Sequence, residues 1–278
     1  MRKSLLASVI LLTTLLYSQN AGFQLIDYPN AAGTHLERIN AKGDMAGYWE
    51  DADGNFHGFV LSNGTFTPIA YPGETTGLVA DINARGDMAG QTGFTGSERG
   101  WFYSKGSFQD VNYPGATGTI CVGLNNRGQI VGAYWYGDLV QHGFLFSSGT
   151  FTPIDVPNMV QTAAYGINDA GDITGWATDA DGVFHGYVYS RGRFDVFDVT
   201  DSTGTIARGI NDAGDVVGSY FDASHARHGF VRSRAGAYTS FDAIDGRGTF
   251  GWGINARGQI VGSALTPDGA HGFIGTLP

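Results

Sequence analysis

Histidine recurs at one fixed place in the sequence and is the first pattern that could carry chemistry. The tripeptide His-Gly-aromatic returns about every 43 residues, with Arg99 replacing the histidine in the second slot; its copies begin at His57, His142, His185, His228 and His271. Zinc ligands must converge within a few ångströms, whereas equivalent positions of a repeat are spread apart. We therefore predict no metal site, and expect each ring to tie a strand to a turn by hydrogen bonds.

Two acidic turns look like fragments of a calcium loop. They read Asp51-x-Asp53-Gly54 and Asp179-x-Asp181-Gly182. A complete loop needs six or more oxygen ligands, including a later acidic residue at a fixed distance, and neither fragment has one. Because Asp-Gly between two strands is a strong hairpin signal, the turn interpretation is favoured and calcium is the alternative.

Sequence motifs of catalytic sites are absent. The chain contains no Gly-x-Ser-x-Gly elbow, no His-Glu-x-x-His and no phosphate-binding Walker loop. We predict no cofactor and assign no catalytic residue.

An internal repeat organises the chain from about residue 22 onward. The motif Ile/Leu-Asn-x-x-Gly recurs at a spacing of 42 to 44 residues, with its asparagines at Asn40, Asn83, Asn125, Asn168, Asn211 and Asn255. A third marker, an aromatic residue that opens an apolar strand, falls at Phe23, Phe66, Phe108, Phe151, Phe194 and Tyr238. Three markers with one period indicate six copies of one structural unit.

Each copy contains four short runs rich in β-branched and aromatic residues, separated by Gly, Asn and Asp. Four strands in about 43 residues is the size of one propeller blade. We therefore predict an all-β fold, a six-bladed β-propeller of four-stranded repeats. The last repeat ends one strand short, while residues 22–29 form an unpaired fourth strand, so we expect this N-terminal strand to pair near Phe273 and Ile274 and close the ring.

The repeats disagree most at one position, two residues before the Ile or Leu of the asparagine motif. The six copies read Glu37, Ala80, Val122, Tyr165, Arg208 and Trp252. Since function on a symmetric scaffold must break the symmetry, we predict that Glu37, Tyr165, Arg208 and Trp252 bind a ligand at one mouth of the central channel. Unconstrained solvent exposure is the alternative explanation. At the next position, Arg38 and Asp81 are followed by four glycines.

The repeated Gly-Ile-Asn-x-x-Gly, the Val-Gly after it and the His-Gly-Phe before a Ser-x-Gly turn resemble the bacterial extracellular repeats of the HAF family, named for His-Ala-Phe. The resemblance covers residues 22–278, with Gly in place of Ala in all five copies that contain His. It implies an exported bacterial protein of unassigned molecular function.

Composition and the N-terminus bear on compartment and partners. Arg2 and Lys3 precede an uncharged run from Leu5 to Tyr17, which is typical of a signal peptide, and we place its end after Ser18. No later apolar run is long enough to cross a membrane. The formal net charge of −10 disfavours nucleic acid as a partner. We expect an exported monomer, extracellular or periplasmic, with residues 22–278 as one domain.

For function, we predict a binding or surface-interaction module whose ligand is a glycan or another small molecule. The alternative is a polysaccharide hydrolase or lyase with its site at the channel mouth. Catalysis would need titratable groups that converge; Glu37, Arg38, Asp81 and Arg208 are the clustered candidates.

Overall fold

The structure is a computed structural model that describes residues 22–94, 96–244 and 248–277. These residues form six four-stranded antiparallel sheets arranged as the blades of a ring. The predicted six-bladed propeller is therefore confirmed. No helix among the described residues is long and apolar enough to span a membrane. The proposed signal peptide, residues 1–18, lies outside the described residues.

The first three blades contain β2 (Gly33–Ile39), β3 (Met45–Glu50), β4 (Phe56–Ser62) and β5 (Thr65–Ile69); β6 (Leu78–Ile82), β7 (Met88–Thr92), β8 (Arg99–Ser104) and β9 (Ser107–Asp110); and β10 (Gly118–Leu124), β11 (Ile130–Trp135), β12 (His142–Ser147) and β13 (Thr150–Ile154).

The last three blades contain β14 (Gln161–Ile167), β15 (Ile173–Thr178), β16 (Phe184–Ser190) and β17 (Arg193–Phe197); β18 (Gly204–Ile210), β19 (Val216–Phe221), β20 (Arg227–Arg232) and β21 (Tyr238–Phe241); and β22 (Thr249–Ile254), β23 (Gln259–Thr266), β24 (Gly269–Thr276) and the N-terminal β1 (Phe23–Ile26).

The N-terminal strand completes the sixth blade, as predicted. Strand β1 pairs antiparallel with β24, with Gln24 opposite Ile274 and Leu25 opposite Phe273. Phe23 is buried and stacks on Phe241 of the fifth blade, with ring centroids 5.2 Å apart. Strand β24 therefore has no open edge, and β1 also contributes to the core between the last two blades.

The asparagine motif forms the turn between the first and second strands of each blade. In the first blade the Asn40 Oδ1 accepts hydrogen bonds from the backbone N–H groups of Lys42, Gly43 and Asp44. Gly43 has a φ of 97°, a conformation that side chains disfavour. This geometry explains why the motif requires Asn followed three residues later by Gly.

The aromatic residue of the His-Gly-aromatic motif lies in the core between blades. Phe59, Phe144, Tyr187, Phe230 and Phe273 are fully buried. The glycine before it makes a close approach to its neighbours: a Cβ at Gly143 would lie 2.4 Å from the Ile154 carbonyl oxygen, and one at Gly229 would lie 2.4 Å from the Phe241 ring. The packing at this position therefore favours Gly over a residue with a side chain.

The motif histidines hydrogen-bond to aspartates in neighbouring turns, as the sequence predicted. His185 lies between Asp198, 2.9 Å from Nδ1, and Asp179, 3.4 Å from Nε2. Burial opposes protonation of His185, but its hydrogen bonds and ion pairs with these two carboxylates outweigh it and raise its pKa. In the second blade Arg99 forms an ion pair with Glu74 instead.

The acidic turns are hairpin turns, the favoured interpretation. The Asp51 Oδ1 accepts backbone hydrogen bonds from Asp53 and Asn55, and Gly54 adopts a φ of 80°. Asp179 caps its own turn in the same way, accepting from Asp181 and Val183. Among the described residues, no three His, Cys, Asp or Glu side chains are grouped closely enough to hold a metal ion.

Candidate functional site

The first strands of the six blades contact one another around the ring and line its central channel. Each of them carries a β-bulge, a residue that the neighbouring strand skips in its pairing. The bulge residues are Glu37, Ala80, Val122, Tyr165, Arg208 and Trp252. The position at which the repeats disagree most is thus the bulge, which is free of the pairing constraint that the rest of the strand obeys.

At the end of the channel where the first strands finish, the six motif asparagines form a closed ring, which we call the asparagine ring. Each side-chain amide donates a hydrogen bond to the backbone carbonyl of the next asparagine, at 3.0 to 3.3 Å, and the cycle returns from Asn255 to Asn40. This asparagine end encloses a cavity of about 90 Å³. Its space suits a few water molecules rather than a sugar.

Arg38 closes the channel between the asparagine ring and the bulges. Its guanidinium donates to the backbone carbonyl oxygens of five of the six bulge residues at 2.6 to 3.3 Å; these acceptors are Glu37, Val122, Tyr165, Arg208 and Trp252. Its Nε lies 3.7 Å from an Asp81 carboxylate oxygen. The other Asp81 contacts are two backbone N–H donors, from Ile82 and Leu124.

The glycines of the other four blades make room for this arrangement. A Cβ at Gly166 would lie 2.7 Å from the Arg208 carbonyl oxygen, and one at Gly253 would lie 2.9 Å from the Glu37 carbonyl oxygen. Four blades therefore meet at the axis through glycine, while the remaining two supply the Arg38–Asp81 ion pair. This pair serves the scaffold, which removes Asp81 from the candidate catalytic groups.

The opposite end of the channel, the aromatic end, carries a row of aromatic side chains interrupted by two arginines across the fourth, fifth and sixth blades. We call this set the arginine–aromatic row; in spatial order it contains Phe184, Trp176, Tyr165, Arg208, Trp252, Phe250, Arg227 and Phe221.

Stacking holds the row together. The Arg208 guanidinium carbon lies 3.7 Å from the Trp252 ring centroid and 5.2 Å from that of Tyr165. The Arg227 guanidinium carbon lies 4.2 Å from each of the rings of Phe221 and Phe250. Phe250 and Trp252 are nearly parallel, which joins the two stacks. Such contacts hold both guanidinium groups in fixed planes.

The predicted site residues therefore come together, and three of them share direct contacts. Arg208 contacts Tyr165 and Trp252, which are half-buried, while Arg208 itself is buried and its Nε has no hydrogen-bond partner among the described residues. Glu37 is buried close to Arg208 and Arg38. Burial raises the pKa of Glu37 to about 7, although both arginines oppose the rise.

Burial also lowers the pKa of Arg208, and that of Arg227 to about 10. With this pKa Arg227 still carries its charge at neutral pH, and guanidinium groups in general keep their proton in proteins. The site thus combines donors fixed on aromatic faces with a carboxyl group that changes charge near pH 7. This chemistry suits recognition of hydroxyl groups and ring faces.

One part of the site escaped sequence reasoning. Arg227 and its aromatic partners were not predicted, although the residue before the motif histidine also varies among repeats and could have indicated them. Solvent exposure, the alternative explanation for the variable position, fits poorly because Glu37 and Arg208 are buried.

Exposed apolar side chains also concentrate at the aromatic end. The second strand of each blade runs toward this end, so the loops between second and third strands lie there. Such loops carry the exposed residues Phe94, Tyr136, Leu139 and Val183, and the exposed Leu265 lies near the end of the second strand β23.

Comparison with solved structures finds propeller proteins. TolB from Acinetobacter baumannii has a TM-score of 0.59 at 10% identity, over 84% of this chain and 64% of that one; the chain thus spans a little under two thirds of TolB. The six-bladed fungal lectin of Aleuria aurantia, described with a fucose recognition mode, has a TM-score of 0.53 at 10% identity over 91% of each chain. SapL1 lectin in complex with α-methyl fucoside has a TM-score of 0.54 at 9% identity, over 84% of this chain and 87% of that one.

No family model matches the sequence, and no curated protein matches it either. At these identities the structural likeness shows the fold.

Proposed function

We propose that the protein is a glycan-binding propeller whose site is the arginine–aromatic row together with Glu37. The observation that carries this proposal is the stacking of Arg208 on Trp252 at 3.7 Å, with Tyr165 on its other flank. Arginine groups fixed in this way offer directed N–H donors at little entropic cost. Half-buried aromatic rings beside them offer the apolar faces on which sugar rings stack.

The charge of the site favours a neutral or weakly acidic glycan. Arg208 and Arg227 supply positive charge, and Glu37 balances part of it above pH 7. The two fucose-related lectins share the fold and support a saccharide as the ligand class. We therefore choose neutral glycosides, including α-methyl fucoside, as the first probes.

The test is a glycan array followed by calorimetric titration of the glycosides that bind. Replacing both Tyr165 and Trp252 by Ala is expected to weaken binding more than tenfold, because it removes two ring faces and releases Arg208. Replacing both by Phe keeps the ring faces and is the matched control, for which we expect a change of only a few fold. Equal binding by the Ala and wild-type proteins, or no glycan bound by the wild type, would contradict the proposal.

Catalysis is the weaker alternative. Among its candidate groups, Arg38 and Asp81 form the ion pair that closes the channel. Glu37 is then left without the second carboxyl group that glycoside hydrolysis ordinarily uses. A release assay with polysaccharide substrates tests this alternative directly, and we expect no product.

We further propose that the protein is exported, that it is a monomer, and that it is a member of the HAF repeat family. The charged and apolar pattern of residues 1–18 supports export, and the six motif copies support the family. Expression with and without residues 1–18, followed by fractionation and N-terminal sequencing, tests export and cleavage after Ser18. Light scattering tests the oligomeric state.

A further inference from the structure

The groove between the fourth and fifth blades differs from the equivalent positions of the preceding blades because it contains a charged side chain. In each of the first five blades, the first residue of the second strand has a cross-strand partner on the third strand. These partners are Leu61, Tyr103, Phe146, Tyr189 and, in the fifth blade, Arg232. A charged side chain thus takes a place that apolar and aromatic side chains occupy in the four preceding blades.

Arg232 is held in a defined position with unused donors. Its side chain is only 14% exposed, its guanidinium carbon lies 4.5 Å from the Phe197 ring centroid, and its Nη2 donates to Asp195 at 2.8 Å. Its buried Nε has no hydrogen-bond partner among the described residues. A buried donor without a partner is unfavourable, so a ligand that accepts a hydrogen bond from Arg232 would relieve this cost.

Arg232 lines a cavity of about 350 Å³, far larger than the one at the asparagine end. Arg193 and Arg234 stand at its exposed edge, and Val188 and Phe194 give it an apolar wall. The volume suits one or two sugar rings or a molecule of similar size.

Charge in the groove favours an anion. Three arginines face two carboxylates in its lining. Asp172 already accepts hydrogen bonds from Ser190 and Asn168, whereas Asp195 is 61% exposed and can turn away to solvent. The groove therefore carries an excess of positive charge, although the whole protein has a net charge of −10, and this local charge attracts anions.

We propose that this groove is a second binding site, distinct from the arginine–aromatic row, for a sugar-sized molecule that carries an oxyanion. Arg232 binds the oxyanion by paired N–H donors, the geometry that guanidinium offers to carboxylate and phosphate. Arg193 and Arg234 add attraction at the edge, and Phe194 packs against the ring of the ligand.

The test is calorimetric titration of the full-length protein with glucuronate, glucose 6-phosphate, glucose 6-sulfate and glucose. We expect one or more of the three anions to bind at least tenfold more tightly than glucose, and the preferred anion identifies the oxyanion chemistry. Higher salt should weaken binding several fold, because exposed charges are screened. If none of the three anions binds more tightly than glucose, the proposal is overturned.

Variants localise the site. Arg232→Leu restores the residue type of the first blade and should lower affinity at least tenfold while preserving the melting temperature. Should that variant unfold, the double variant Arg193→Ala with Arg234→Ala changes only exposed side chains and should lower affinity several fold. Lys105→Ala removes one exposed charge on the second blade and is the matched control. Anion binding that survives the groove variants, or falls equally in the control, would refute this location.

The two proposals fail independently. Replacing Tyr165 and Trp252 by Ala should leave anion binding in the groove unchanged, and Arg232→Leu should leave neutral glycan binding at the row unchanged.

Discussion

The side-chain amide of Asn255 donates a hydrogen bond to the backbone carbonyl of Asn40, 3.2 Å away, across 215 residues of sequence. This contact joins the last blade to the first and closes the asparagine ring. Each asparagine in the ring also orders its own turn through Oδ1, as Asn40 does. One side chain per blade thus fixes both the local turn and the contact to the next blade.

Removal of one amide from the ring should destabilise the whole propeller. Asn125 donates to the Asn168 carbonyl at 3.0 Å and accepts from the backbone of Arg127 and Gln129. Asn125→Ala removes these three hydrogen bonds, so we expect a loss of about 2 to 4 kcal/mol in the free energy of unfolding. Urea denaturation followed by tryptophan fluorescence measures it.

Asn125→Asp separates the two roles of this side chain. The aspartate keeps an acceptor for the turn but loses the donor and places a carboxylate beside the Asn168 carbonyl. Stability equal to that of the wild type would show that the interblade donors contribute nothing.

The closing strand should be required for a stable ring. A chain that begins at residue 30 lacks β1 and exposes the edge of β24, so we expect a marked loss of thermal stability and aggregation. Phe23→Ala should destabilise by about 3 to 5 kcal/mol, since it leaves a cavity against Phe241 and Phe273. Gln24→Ala, at an exposed neighbouring position, is the control. Unchanged thermal unfolding of the truncated chain would refute ring closure as a source of stability.

The fold was predictable because its determinants repeat. Motifs such as Asn40 to Gly43 and His185-Gly186-Tyr187 each solve a local problem, a turn or a close packing contact, and six copies at one period leave few alternatives to a propeller.

The site was less predictable because it depends on distances around the ring. Variation at the bulge pointed to Arg208 and Trp252, but their contact crosses from one blade to the next and has no local sequence signal. Arg38 acts by donating to backbone carbonyl groups of distant blades. Because every residue has a backbone carbonyl, these acceptors leave no mark in the sequence. The sequence could mark Arg38 as unusual among glycines without showing its partners.

Chelation should leave stability unchanged. The Asp51 carboxylate already accepts from the Asp53 and Asn55 backbone and lies 2.9 Å from His57 Nε2. These hydrogen bonds hold its pKa well below the usual range, so the turn is satisfied without an ion. We expect the same melting temperature with and without EDTA. A fall on chelation that calcium reverses would show that the acidic turns bind calcium.

Stability should depend on pH through Glu37. Its pKa is about 7 in the folded protein, against 4.5 as the ordinary value. Between these values Glu37 binds more protons in the folded state than in the unfolded state, so its contribution to the free energy of unfolding falls as pH rises from about 4.5 to 7, by up to about 3 kcal/mol.

Glu37→Gln stays neutral and should remove this part of the pH dependence, making the variant relatively more stable at pH 8 than at pH 5. Asp81, with a pKa raised by burial to about 6, acts in the same direction but is present in both proteins. His185, His228 and His271 are also present in both proteins, and their raised pKa values likewise make stability fall as pH rises.

Asp53→Asn at an exposed turn is the control. Parallel curves of unfolding free energy against pH for the wild type and Glu37→Gln would contradict the assignment.

Free guanidinium should rescue a protein that lacks the Arg38 side chain. Arg38→Ala removes the donor to five carbonyl groups, three of them buried, and leaves the buried Asp81 carboxylate without its counter-ion. We expect a loss of about 3 to 5 kcal/mol, which Asp81→Asn in the same chain should partly reverse because it removes the uncompensated charge. Guanidinium chloride at about 20 mM, far below denaturing levels, should raise the melting temperature of Arg38→Ala by binding the folded state. The same concentration of sodium chloride should not, and the wild type should respond to neither salt. Equal responses of the variant to both salts would show that the carbonyl ring does not select a guanidinium group.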